Sequence, residues 1–273
     1  MNNKSESSNQ FSRGEHQEGS RPFITLETNV WENDWRLILN TGRLEAVVER
    51  CHYQFDSRKV LINNVSDLSL VEKAAQRLLA DGIITEYIIV DEYAERTLEH
   101  FGLPKKDEWE GGLYYSIAQF VGIHLCNTRY LLHFMSDSLP DPELGPGWVE
   151  KLLSALESRP NIKVANLTWN HEYGGARNES SFQDNDFFYG YGFSDQMYLI
   201  AVADFQKPIY NEKHPASARY PNYGGDLFEK RVDSWMRNHE YLRATYRRGS
   251  YLSRNFPKQK WKRRLMEKFK LGF

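Results

Sequence analysis

The residues best able to do chemistry in this chain stand where apolar runs stop. Tyr130-Leu-Leu-His-Phe-Met-Ser-Asp-Ser-Leu-Pro-Asp141 is an apolar run that ends in a short acidic turn with Asp137 at its tip. Earlier apolar runs end similarly, in Glu27-Thr-Asn29, in Asn63-Asn-Val-Ser-Asp67 and in Asp91-Glu92. An α/β sheet gathers ligands outside the carboxyl ends of its strands, so these acids and amides would share one edge. Such an oxygen-rich edge suits Mg²⁺ or Mn²⁺, which take carboxylate and water ligands. The alternative for Asn63, Asn64 and Asp67 is local, because Asx turns and helix N-caps favour the same residue types. Two further acids follow glycines: Asp195 in Gly192-Phe-Ser-Asp195 and Glu229 in Gly224-Gly-Asp-Leu-Phe-Glu229. Glu229 also has the capping-box spacing from Asp226.

No Gly-x-Gly-x-x-Gly follows the first apolar run and no Gly-x-x-x-x-Gly-Lys-Ser/Thr occurs, which disfavours a dinucleotide-binding Rossmann site and removes P-loop chemistry. A phosphate ligand would then be neutralised by a divalent cation or by basic side chains. His171-Glu172 has no second histidine at zinc-ligand spacing, so zinc is not expected.

The elements that must hold these residues alternate from Arg21 onward. Phe23–Glu27, Lys59–Asn63, Glu86–Val90, Tyr130–Met135 and Ile162–Leu167 read as strands. Asn33–Cys51, Ser69–Asp81, Tyr114–Cys126 and Trp148–Ser158 read as the helices between them. The order predicts an α/β fold with a mostly parallel sheet and helices on both faces. Residues 171–193, rich in Gly, Asn, Asp and aromatics, read as an irregular loop. Met197–Val202 is a further strand and Leu227–Asn238 a further helix. Residues 1–20 read as disordered, 21–240 as one domain, and 241–273 as a basic, mostly helical C-terminal extension.

At 273 residues and 40% hydrophobic content the chain can bury a core of its own. No apolar run approaches the roughly 18 residues of a membrane-spanning helix, and the polar N-terminus lacks the apolar stretch of a secretory signal. Cys51 and Cys126 form no Cys-x-x-Cys pair and read as reduced thiols, so a cytoplasmic location is expected. The net charge of −2 hides an asymmetry: Arg243–Phe273 holds 11 Lys or Arg against one acid, Glu267. Within it, Trp261, Leu265 and Phe269 recur every fourth residue among Lys and Arg, the pattern of a membrane-interface helix or of one docked on its own core. Nucleic acid is not expected, since the body is acidic and no nucleic-acid module surrounds the basic segment.

The ordered set resembles glycosyltransferases of the GT-A fold, family 2 type, over roughly residues 23–238. Asn63-Asn-Val-Ser-Asp67 is similar to the family's acid- and amide-rich turn after the second strand. Tyr115-Ser-Ile-Ala-Gln-Phe-Val-Gly-Ile-His124 is similar to the helix ahead of its Asp-x-Asp motif, and Tyr130–Ser138 to the strand and motif. The chain departs from the family at that motif, where Met135-Ser-Asp-Ser138 offers one carboxylate. The resemblance implies a UDP- or GDP-sugar donor, with Thr25, Glu27, Asn29, Asn64, Asp67, Asp91, Ser136 and Asp137 toward the nucleotide-sugar. It implies Mn²⁺ or Mg²⁺ on Asp137 and a base, Asp195 or Glu229, that deprotonates the acceptor. Aromatics from Trp169 to Tyr223 would suit a glycan or lipid-linked acceptor in polysaccharide or O-antigen assembly, reached from the inner face of the cell membrane. The incomplete motif leaves a second expectation, a catalytically silent binding or scaffold protein of the same fold. A sugar-phosphate nucleotidyltransferase is disfavoured, because Glu27-Thr-Asn-Val-Trp31 is no Gly-rich, basic loop.

Overall fold

The computed structural model describes residues 23–221 and 223–271. The expected disordered segment, residues 1–20, lies outside the described residues. In chain order the elements are β1 (Ile24–Val30), α1 (Trp35–Asn40), α2 (Arg43–Arg50), β2 (Ser57–Ile62), α3 (Leu68–Ala80), β3 (Glu86–Ile89), α4 (Ala94–His100), α5 (Ile117–His124), β4 (Tyr130–Phe134) and β5 (Ser138–Pro140). There follow α6 (Trp148–Ser158), β6 (Ile162–Trp169), α7 (Tyr173–Asn178), β7 (Ser180–Gln183), β8 (Phe187–Gly190), β9 (Met197–Ala201), α8 (Val202–Phe205), α9 (Phe228–Asn238), β10 (Leu242–Ser253) and α10 (Lys260–Lys268).

These strands form one sheet in the order β3-β2-β1-β4-β9-β6-β10-β8-β7, with β5 paired to β10. β3, β2, β1 and β4 are parallel neighbours. β9 runs against both β4 and β6, and β6 is parallel to β10. β5 and β8 oppose β10, and β7 opposes β8. The sheet is therefore mixed, with most strands sharing one direction, and β9, β8 and β5 reversed. Helices cover both faces, as the alternation predicts. Ile24, Leu26 and Val30 of β1 pack into the core beneath α1, α2, α3 and α6. The other core lies between the sheet and α4, α5 and α9. Successive strand residues alternate faces, so Thr25, Glu27 and Asn29 share the face opposite Leu26.

The structure differs from the sequence reading chiefly as follows, besides the short β5 and α8. The expected helix 33–51 is two helices, because Gly42 takes a left-handed conformation (φ 81°) between them. α4 follows β3 where no helix was expected. Residues 171–193 hold α7 and the β7–β8 hairpin rather than loop alone. The sheet also extends past residue 240, since β10 runs between β6 and β8 and only α10 is helical beyond it. The arginines of β10 obscure its strand character. Arg243 is buried against Glu179 (3.0 Å), and the segment between Tyr246 and Ser250 bulges out of register with β6.

Candidate active site

Four carboxyl groups meet where β1 and β4 end and β9 begins. Asp137 follows β4 directly. Because β9 is antiparallel to β4, its start lies beside that end, and Met135 N–H donates to the Gln196 carbonyl (2.9 Å). This pairing brings Asp195 into the same crevice. Asp34, just before α1, accepts from Trp31 N–H (2.8 Å) and from the Ser136 hydroxyl (2.5 Å). Arg43 of α2 donates through Nε to the Ser136 carbonyl (2.9 Å). Glu229 enters from the first turn of α9, whose Phe228 N–H donates to Ser116 Oγ (2.9 Å).

Burial holds all four acids above the ordinary carboxyl range. Asp34, 2% exposed, is pushed up to about 7 by desolvation, with the charge of Asp137 adding to it and its two hydrogen bonds opposing. Desolvation also raises Asp137, and Arg43 pulls it back. Asp195 rises to about 6 through desolvation, against the His133 imidazole and with the charge of Asp137. Glu229 rises to about 8 through desolvation and the charge of Asp195, against Arg219. Arg43 is lowered to about 9 by its own burial, although Asp137 and Asp34 favour its charge. A crevice with this much uncompensated carboxyl charge can share protons near neutral pH and can accept a cation.

The acidic turn is held from below. Gln196 Oε1 accepts from Ser138 Oγ (3.0 Å) and Ser253 Oγ (2.9 Å), and Arg254 N–H donates to the Asp137 carbonyl (3.2 Å). Beneath it, His133 Nδ1 lies 3.1 Å from Glu27 Oε1, both fully buried, and the His133 ring stacks on Tyr198 at 4.8 Å between centroids.

A cavity of about 640 Å³ opens at the ends of β2 and β3, lined among others by Asn63, Asn64, Asp91, Lys106 and Tyr114. Asn63 Nδ2 donates to the Tyr114 carbonyl (2.7 Å), fixing the wall. From there tyrosines lead to the crevice. Tyr114 meets Tyr115 at 3.9 Å and Tyr115 meets the exposed Tyr223 at 5.3 Å, and Tyr223 senses the charges of Glu229 and Asp195. This bridge depends on two backbones touching, since a Cβ on Gly112 would collide with the Gly224 backbone. A second cavity of about 490 Å³ beside α9 is lined by Lys213 and Lys230, both ion-paired with Asp226.

The sequence-predicted residues therefore separate. Asp137, Asp195 and Glu229 share the crevice, and Asn64 and Asp91 line the neighbouring cavity. Asn29, near the end of β1, keeps a buried Oδ1 without a hydrogen-bond partner among the described residues. Asp67 is exposed and caps α3, accepting from Leu70 N–H (3.2 Å). Ser136 is buried and holds Asp34 rather than facing a ligand. Thr25 and Glu27 correct the sequence reading. Thr25 is fully buried in the first half of β1 against Thr128 (2.8 Å), and Glu27 is sealed with His133, so neither is open to a nucleotide. β1 runs on to Val30, which moves its end past both. Asp34, Arg43, Gln196 and His133 were missed. Asp34 lay inside the stretch read as helix, and Arg43 reads as an ordinary helix cation.

Among the described residues no three His, Cys, Asp or Glu side chains group closely enough to hold a metal alone. Mg²⁺ and Mn²⁺ at a diphosphate need less, since one or two carboxylates, waters and phosphate oxygens complete the shell. Asp137, its charge penalised by burial, fits that shared arrangement, with the Ser138 hydroxyl beside it (3.4 Å).

No family model matches the chain, and no curated protein matches it in sequence. Among solved structures, the mannosyltransferase PcManGT from Pyrobaculum calidifontis, in complex with GDP-Man and Mn²⁺, aligns at 12% identity and a TM-score of 0.52. The alignment covers 91% of this chain and 61% of that one. Glucosyl-3-phosphoglycerate synthase from Mycobacterium tuberculosis, with Mn²⁺, UDP and phosphoglyceric acid, aligns at 13% identity over 92% of this chain and 76% of that one; its TM-score of 0.47 adds no weight. The fold is that of the GT-A glycosyltransferases.

Proposed function

We propose that the protein is a glycosyltransferase that moves a sugar from a UDP- or GDP-sugar to a glycan or lipid-linked glycan. The observation that carries this reading is the crevice of four desolvated carboxyls with Arg43, set beside a cavity of about 640 Å³ on a GT-A fold. The nucleoside fits the cavity, bounded by Asn64, Asp91 and Tyr114, and the diphosphate falls at Asp137, whose charge the buried Arg43 supports from behind. A Mn²⁺ or Mg²⁺ ion held by Asp137 would neutralise the diphosphate as it leaves. In an inverting transfer Asp195 takes the proton of the acceptor hydroxyl. The acceptor oxygen bonds to the anomeric carbon, the bond from that carbon to the diphosphate oxygen breaks, and the bonding pair leaves with the nucleoside diphosphate. Glu229, raised above neutral pH, keeps its proton and donates to the acceptor. Tyr115 and Tyr223 offer ring faces on which a sugar can stack.

The setting we infer is cytoplasmic, in polysaccharide or O-antigen assembly, with the acceptor at the inner membrane face. Among the described residues no helix is long and apolar enough to cross a membrane. The single carboxylate of the Asp137 turn favours a second reading, a silent binding protein of the same fold. Calorimetric titration with UDP and GDP, with and without Mn²⁺, separates the two. The enzyme reading expects metal-enhanced binding that Asp137→Asn weakens, together with a loss of turnover of about 10²–10³-fold. Nucleotide binding that ignores both metal and substitution sinks the metal assignment, and no binding at all sinks the enzyme.

A further inference from the structure

The helix α10 is docked with its polar side inward. Arg263 Nη2 donates to Asn33 Oδ1 (3.0 Å) at the start of α1, and Asn40 Nδ2 at the end of α1 donates to Glu267 Oε1 (2.9 Å). Arg263, Met266 and Glu267 are the partly buried residues of α10. The opposite face carries Trp261, Leu265 and Phe269, exposed by 59%, 43% and 60%, and Leu271 beyond them by 54%. At helical spacing the first three fall in one stripe about 80° wide. Exposed Lys260, Lys262, Arg264 and Lys268 flank that stripe. A surface helix on a water-soluble body normally turns its apolar stripe to the core. Here the stripe faces away from it.

We infer that the outward face of α10 is a membrane-interface anchor that seats the protein on an anionic bilayer. Two features select lipid as the occupant. The stripe places aromatic and aliphatic groups where they enter the acyl boundary while the flanking cations remain at the headgroups. A second copy would bring two such cationic borders together, since residues 257–271 hold seven Lys or Arg against Glu267 alone. The anchor also lies beside the candidate site. Asn33, which Arg263 holds, precedes Asp34 of the crevice, and Arg254 N–H, on the strand-to-α10 connection, bonds the Asp137 carbonyl. A bilayer under α10 therefore lies near the Asp34–Asp137 end of the crevice, which deepens the lipid-linked reading above and rests on it for the acceptor's identity only.

The test is co-sedimentation of the full chain with phosphatidylcholine vesicles, with and without phosphatidylglycerol. Partitioning at least tenfold stronger onto the anionic vesicles, weakened by salt, is the expected result. The combined variant Trp261→Ser, Leu265→Ser, Phe269→Ser lowers that partitioning at least tenfold, as does Lys262→Glu, Arg264→Glu, Lys268→Glu. Both sets alter exposed side chains, and far-UV circular dichroism checks that each variant folds. Absent partitioning, or partitioning unchanged in the serine variant, overturns the anchor. A dimer in light scattering that the serine variant loses gives the face to a second copy and also overturns it. UDP and GDP titrations of the same variants keep the two readings apart, because vesicle binding without nucleotide binding leaves the anchor standing and removes the transferase.

Discussion

The ends of β2 and β3 and the crevice between β4 and β9 are built from the same residue types, acids and amides at strand ends, yet they differ in electrostatic state. At β2 and β3 three polar side chains have local partners: Asn63 holds the Tyr114 carbonyl, Asp67 caps α3, and Asp91 pairs with Lys106 at 2.7 Å. At the crevice, burial has outrun compensation, and Asp34, Asp137, Asp195 and Glu229 are all raised. The difference teaches that composition at a strand end locates an edge, whereas unbalanced charge locates the chemistry. Satisfied polar groups shape a cavity. Carboxyls whose burial outweighs their partners are poised to exchange protons or to gain a cation.

The largest test of that contrast compares Asp195→Asn with Glu229→Gln. If Asp195 is the base, its loss lowers kcat/KM by about 10²–10⁴-fold, while Glu229→Gln, which keeps a neutral donor, costs about tenfold or less. The pH profile gives the same answer independently. A base must be deprotonated, so kcat/KM rises as the pH passes about 6 with ionisation of Asp195. It falls again above about 8 as Glu229 loses the proton it donates and adds charge against the leaving diphosphate. The two carboxyls titrate as a pair, so the limbs belong to the pair. A single rising limb near pH 8, with Glu229→Gln the more damaging change, exchanges their roles.

Asp34 tests the electrostatic half of the contrast through stability. Its folded-state pKa of about 7 exceeds the unfolded value, so its contribution is fully present below about pH 4 and is lost as the pH rises through about 7. Asp34→Asn removes the charge while its Oδ1 still accepts from Trp31 N–H and its Nδ2 donates to the Ser136 hydroxyl, which reverses that bond. The metal-free variant should match the native protein near pH 4 and exceed its unfolding free energy at pH 8 by on the order of 4 kcal/mol. Urea unfolding at the two pH values measures this, and a constant offset would mean that burial does not strain the carboxyl.

Much of this architecture is legible in the sequence because periodicity and strand-end punctuation are local. Trp148–Ser158 is the helix that its spacing predicts, and Gly82 stops α3 as read. Asp137, Asp195 and Glu229 stand out because each follows an apolar run or glycines. Asp34 and Arg43 do not, because their importance comes from burial against Ser136, 93 residues or more along the chain. β10 is obscured for a related reason. Arg243, Arg247 and Arg248 resemble surface charge until Glu179 and the bulge account for them. Thr25 and Glu27 mislead because a strand end cannot be placed within two or three residues from pattern alone.

A smaller effect is expected at the exposed rim between the two regions. Tyr223 is 60% exposed and touches Tyr115, so Tyr223→Ala removes a stacking face without opening the core. The acceptor KM should rise about tenfold or less with kcat little changed, the signature of lost uniform binding. A fall in kcat at constant KM would instead attach Tyr223 to the reacting groups.

The smallest effect on activity is expected at Asp67, where the contrast is sharpest. Its carboxylate accepts from Leu70 N–H in the first turn of α3 and is exposed. Removing an N-cap acceptor costs about 1 kcal/mol. Asp67→Ala should therefore lower the unfolding free energy by about that amount, while the dissociation constants for UDP and GDP stay within twofold or so of the native values. The cavity wall is formed in part by Asn63, Asn64 and Tyr114, whereas the Asp67 side chain bonds Leu70 N–H. A tenfold weaker nucleotide with unchanged stability would reverse this assignment. It would mean that α3 is capped well enough without the carboxylate and that Asp67 turns toward a ligand when one binds.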